Sequence, residues 1–215
     1  MEKYLREPIN GLTHLVGAIL SLIGLISMLV KVSITNGTLI DYFSIILFGV
    51  SMILLYSASA TYHSVISTDS VIKVLKKVDH SMIFILITGS YAPLCLITLH
   101  NTAGYTLFSI VSIAGLIGII FKICWVTCPK WLSSVIYIGI GWFAIFAIYP
   151  LSRVLATPGL ILLILGGVLY TIGGIIYALK SKKIKIGAFG AHEIFHIFIM
   201  LGTLCHFLCV FNYVL

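Results

Sequence analysis

The chain has 215 residues, of which 60% are hydrophobic and only 9% charged, with a formal net charge of +7. Together with a mean hydropathy of +1.18, this balance excludes an ordinary soluble domain and identifies an integral membrane protein. In such a chain a basic excess belongs to loops beside membrane spans, so no nucleic-acid partner is expected.

A helix needs about 20 residues to cross a hydrocarbon core. Seven apolar runs have that scale: 11–30, 42–63, 79–99, 105–123, 133–151, 159–179 and 192–213. Residues 1–215 therefore read as one all-α domain, a seven-transmembrane helix bundle without linker, internal repeat or second domain. The first run is too long for the apolar core of a cleavable signal peptide and is expected to stay as an anchor. Eleven of the thirteen basic residues fall at one set of ends: Lys3, Arg6, Lys73, Lys76, Lys77, Lys122, Lys130, Lys180, Lys182, Lys183 and Lys185. Only Lys31 and Arg153 lie at the other. The positive-inside rule then puts the N-terminus in the cytoplasm and the C-terminus outside, in a multi-pass protein of the cell membrane.

In the sixth run the pairs Gly166-Gly167 and Gly173-Gly174 leave a smooth stripe, read here as close helix packing. The five cysteines, Cys95, Cys124, Cys128, Cys205 and Cys209, lack metal-site spacing and read as small packing residues.

Polar residues within the runs are more telling, because they are costly in lipid and face the bundle interior or a wet cavity. Alternating helix direction puts Ser59 and His63 near the cytoplasmic end of the second run, and Asp79 and His80 at the cytoplasmic start of the third. His192 and His196, four apart and thus on one helix face, start the seventh at a similar depth. Taken singly, His80, His100 and His206 read as hydrogen-bonded packing residues. His206 stands about 21 Å from His192 along the axis, too far to share a site. His63, His192 and His196 at one level are the three imidazoles of a zinc site with an open fourth position. Ser59, one turn before His63, either meets a group at the metal or bonds back to the preceding turn. Asp79 needs a cation, a donor or a metal-bound water.

The segment 192–196 also fits the H-E-x-x-H pattern of metalloproteases. The aspartate ligand and Asn/Pro-containing segment of intramembrane metalloproteases are missing after His196, so that reading is set aside. Glu193 is expected near a helix N-terminus, where negative charge is favoured. Ahead of the first run, Asn10 is expected as a helix N-cap, and Glu7 and His14 share roughly one face. A structural bracket is the favoured role for this motif, with acid-base work near the metal as the alternative.

Four elements together, Glu7-Pro8-Ile9-Asn10-Gly11-Leu12-Thr13-His14, Ser57-Ala58-Ser59-Ala60-Thr61-Tyr62-His63, Asp79-His80 and His192-x3-His196, resemble the bacterial haemolysin III family over essentially the whole chain. That family belongs to a superfamily with the adiponectin and progestin receptors and is grouped more distantly with alkaline ceramidases. The resemblance implies a zinc ion on His63, His192 and His196, with Asp79 bonding its water and Ser59 beside it. It also implies a cytoplasmic N-terminus. The long N-terminal extension of the adiponectin receptors is missing, so a hormone-receptor role is not supported.

The resulting expectation is a zinc-dependent hydrolase of lipid amide or ester bonds, with membrane lipids as partners and Asp79 and Ser59 as catalytic residues. Two alternatives stand beside it: a pore-forming cytolysin, and a non-catalytic sensor of membrane lipid state. Neither an amphipathic pore-forming segment nor an ionisable path through both leaflets supports the pore.

Overall fold

The computed structural model describes residues 4–179, 184–187 and 189–215; Lys3, Lys180, Lys182 and Lys183 lie outside them. Among the described residues, seven helical spans are long and apolar enough to cross a membrane. They begin with α1 (Pro8–Ile34) and α2 (Leu39–Ser64). The third is α3 (Asp69–Ala92), continued as a π-helix over Pro93–Leu99. Next come α4 (Thr102–Cys124) and a fifth span of α5 (Lys130–Gly141), a 3-10 turn at Trp142–Ala144 and α6 (Ile145–Val154). After α7 (Thr157–Leu179), the hairpin β1 (Lys185–Ile186) and β2 (Phe189–Gly190) leads into α8 (Ala191–Cys209).

Every run is present, and the differences lie at its edges. The third span starts ten residues before the expected 79, so Lys73, Lys76 and Lys77 stand on a helix instead of in a loop. Lysines interleaved with Val71, Ile72, Val74 and Leu75 break the apolar run without breaking the helix, and Asp69 in its first turn complements the N-terminal dipole. Asp79 and His80 consequently sit well inside α3. Asn10 is not the cap of α1: Pro8 opens the helix as its first residue, where a missing N–H costs nothing, and Glu7 occupies the cap position. Pro93 removes one backbone donor from the third span, and the helix accommodates it by widening to π geometry.

Neighbouring spans pack in a ring. Helices α1 to α4 pack in sequence order, α5 crosses to α3 and α7, α7 lies along α8, and α8 closes back onto α1. One apolar core gathers about Phe84, Val111 and Leu151, and a second about Met28, Ile45 and Phe48. The outer surface carries Ile19, Ile23, Ile113, Ile117 and Phe146 exposed, a lipid-facing belt. Closed helices satisfy their own backbone groups there, as hydrocarbon requires.

The α7 glycines only partly match the packing reading. A Cβ at Gly166 would collide with the His206 ring, and one at Gly174 would stand 2.9 Å from Ile138. Gly167 has nothing within 4 Å of that position and lines an internal cavity instead. Cys95, Cys205 and Cys209 are buried and free. Cys128 is not apolar filler, since its sulfur meets Lys122 and Ser133.

Candidate metal centre

Arg6 and Glu7 tie the start of α1 to the end of α2 through backbone bonds, Arg6 N–H to Ser64 O and Glu7 N–H to His63 O. This fixes His63, in the last turn of α2, beside the first turns of α8. There the imidazoles of His63, His192 and His196 converge, each offering a ligand atom within 4.8 Å of the others. The Nε2 atoms of His63 and His192 are 3.4 Å apart. His63 and His196 are 2% and 1% exposed, so these are imidazoles drawn out of water and gathered at one point.

The orientation of His63 has a clear cause. Its Nδ1 lies 2.8 Å from Glu7 Oε2, so the carboxylate accepts a hydrogen bond from Nδ1–H and leaves the Nε2 lone pair facing His192. A carboxylate behind an imidazole is how proteins fix the tautomer of a metal ligand. The hydrogen bond from His63 holds the Glu7 carboxyl down at about 2. Asn10 Nδ2 donates to Glu7 and to Glu193 Oε1, each at 3.0 Å. Glu193 Oε2 also accepts from the Gly190 N–H at 2.9 Å. Glu193 is thus occupied at the start of α8, and Asn10 joins it to Glu7 across α1 and α8.

His14 stacks on His196 with ring centroids 3.7 Å apart and meets Tyr56 edge-on at 5.1 Å. Both its ring nitrogens are buried without a hydrogen-bond partner among the described residues, and so are Nδ1 of His192 and of His196. Buried imidazole nitrogens normally find partners. What fits a metal ion is the convergence itself: Nε2 of His63 and of His192 face each other at 3.4 Å, with a His196 nitrogen in the same group, an all-imidazole donor set of the kind that borderline-soft divalent metals take.

Two of the triad, His192 and His196, line a cavity of about 160 Å³. Ser59, Asp79 and His14 line it with them. Leu163, Ile148 and His206 line it as well, His206 standing about 21 Å along α8 from His192 at 1.5 Å per residue. The walls are mostly apolar. Ser44, Ser51 and Thr61 on α2 bond back to carbonyls of the preceding turn; Ser59 makes no such bond among the described residues. Asp79 is 8% exposed, lies 3.1 Å from His80 Nδ1, and interacts electrostatically with His63 and His14. His80 itself is a positioning group, 3.3 Å from the Tyr177 hydroxyl, with its carbonyl accepting from Tyr137. His100 lies outside the site, ending the third span in a left-handed conformation with Nδ1 2.8 Å from Leu96 O.

Sequence reasoning missed the Glu7 contact to His63 and the His14 stack on His196. Their spacing was visible, seven residues apart on one face, but the face they share turns toward α2 and α8 only once the bundle closes.

The chain matches the family model described as Haemolysin-III related over residues 2–207. It is 39% identical to Hemolysin-3 of Bacillus cereus over 216 residues, covering 100% of this chain and 95% of that one. To the Hemolysin-3 homolog of Bacillus subtilis (strain 168) it is 39% identical over 207 residues, covering 96% and 93%.

Proposed function

This chain belongs to the haemolysin-III related family of multi-pass membrane proteins, and from that premise we propose that it is a zinc-dependent hydrolase of lipid amide or ester bonds. The observation that carries the reading is the imidazole triad, of which His192 and His196 line a mostly apolar cavity together with a carboxylate, Asp79, and a hydroxyl, Ser59. His63, His192 and His196 hold the metal. Zinc in such a set supplies a Lewis acid that polarises carbonyls and acidifies water.

The remaining work falls to the chain's own side chains. Asp79, buried beside the triad, accepts the proton of the attacking water. The Ser59 hydroxyl donates to the oxygen on which negative charge develops. The apolar walls seat the acyl chain and keep bulk water from the carbonyl. Basic residues Arg6, Lys73, Lys76, Lys77, Lys122, Lys130 and Lys185 gather at the triad's end of the bundle, which supports a cytoplasmic N-terminus and a site at the inner leaflet.

A panel of lipid amides and esters, assayed with metal-stripped and zinc-restored protein, tests the proposal. Zinc-dependent release of fatty acid that disappears in Asp79→Asn supports it; no zinc-dependent product from any lipid sinks it. The name of the Bacillus cereus relative brings a lytic reading with it. That reading predicts conductance in liposomes that persists in His63→Ala, and hydrolysis predicts none.

A further inference from the structure

Away from the triad, Lys122 at the end of α4 is 1% exposed, as buried as Leu151 in the apolar core. Its Nζ donates to Ser133 Oγ at 2.6 Å and to Cys128 Sγ at 3.1 Å. Cys128 Sγ and Ser133 Oγ are 3.2 Å apart, closing a triangle of nitrogen, sulfur and oxygen. The Tyr137 and Phe121 rings flank the nitrogen at 5.7 and 5.8 Å. Among the described residues no carboxylate stands within ion-pair distance of Lys122.

An ammonium buried without a counter-ion is costly, and the thiol is the one acid within reach. Cysteine reacts through its sulfur as thiolate, and here the sulfur and the lysine nitrogen are already in contact at 3.1 Å. Cys128 is 7% exposed, so small reagents are the ones to use on it.

We propose that Cys128 is a peroxide-sensitive modification site that closes onto Lys122 as a covalent sulfur–nitrogen bond. The thiolate sulfur attacks peroxide: the S–O bond forms, the O–O bond breaks, and the departing hydroxide takes a proton from the Lys122 ammonium to leave as water. The freed amine then attacks the sulfenic sulfur, as sulfenic acids condense with nitrogen to sulfenamides. The N–S bond forms, the S–O bond breaks, and the oxygen leaves as water with one amine proton. One thiol, one amine and one peroxide give the crosslink and two waters, sulfur being oxidised and peroxide reduced. A thiol reductant reverses it. The bond ties the end of α4 to the loop before α5, whose residues Ser134, Tyr137 and Ile138 wall the cavity.

The experiment uses the full chain carrying Cys124→Ser, which removes the one exposed thiol, treated with hydrogen peroxide in detergent. Intact-mass and peptide analysis of folded protein should show a species lighter by two hydrogens, with the segments holding Lys122 and Cys128 joined. It should revert with thiol and be absent from Lys122→Arg and Cys128→Ser. Unlinked segments in oxidised, folded protein, or a Cys128 sulfenic acid that a dione reagent traps with Lys122 still free, overturn the proposal. So does the same crosslink mass in Lys122→Arg. The joined segments in the Lys122-containing chain decide the matter even where a variant fails to fold.

Discussion

The carboxylate of Glu7 touches no metal, yet removing it should loosen metal binding. It stands 2.8 Å behind His63 Nδ1 and receives Asn10 Nδ2 at 3.0 Å. Partners of this kind change metal affinity by about 10- to 100-fold when mutated, or about 1.4 to 2.7 kcal/mol at 1.36 kcal/mol per decade. The Glu7 side chain is 40% exposed, so solvent screens its charge, and the electrostatic share falls toward the low end. Glu7→Gln keeps an acceptor for Nδ1–H and a partner for Asn10, and loses only the charge; a weakening of about tenfold is expected. Glu7→Ala also frees the His63 ring to turn and leaves Asn10 without one acceptor, and should approach about 100-fold. Competition between purified protein and a zinc chelator of known affinity, in detergent, measures both. Equal zinc affinity in Glu7→Ala and wild type would refute the reasoning, because His63 would then be oriented without its carboxylate.

Wild type should carry about one zinc per chain by elemental analysis, the stoichiometry of a three-imidazole site, and His63→Ala and His196→Ala should both lose it. Gly104→Ala puts a Cβ into the Cys95 carbonyl oxygen and should cost about 1 to 3 kcal/mol as overpacking. Gly139→Ala, with nothing within 4 Å, should be neutral or stabilising by up to about 1 kcal/mol; thermal unfolding in detergent compares the two. Gly167→Leu should keep fold and zinc while filling part of the cavity of about 160 Å³. Its turnover should therefore fall more for long-chain than for short-chain lipids, and equal losses at every chain length would count against the cavity as the acyl site.

The site was legible where spacing and helix direction alone decide geometry. His192 and His196 share a face because they are four apart, and His63 meets them because the spans alternate in direction. Legibility failed where a tertiary contact sets the role. Asn10 has the chemistry of a cap, but Pro8 starts the helix two residues earlier, and Asn10 is drawn instead between Glu7 and Glu193. The start of α3 was hidden because hydropathy cannot distinguish an amphipathic helical turn from a charged loop. Cys128 read as filler because Lys122 and Ser133 lie on different helices, and only the loop between α4 and α5 brings the three together.

The same residues explain why the triad sits at the end of the bundle and not in its middle. A ligand set at mid-depth would draw its second-layer carboxylate from a span, where an ionised group is most expensive. At the helix ends, Glu7 precedes the first span and is partly wet, so its charge is cheap to keep and still reaches His63. Glu193 occupies the start of α8, where the helix dipole favours it. Asn10 couples the two carboxylates and thereby fixes α1 against α8. Among the described residues the carboxylate placed deeper is Asp79, which has His80 at 3.1 Å and lines the cavity with His192 and His196. Among the described residues Asp79 is thus the carboxylate that enters a span beside the triad, and the carboxylates that merely hold the ligands in place stay at the interface.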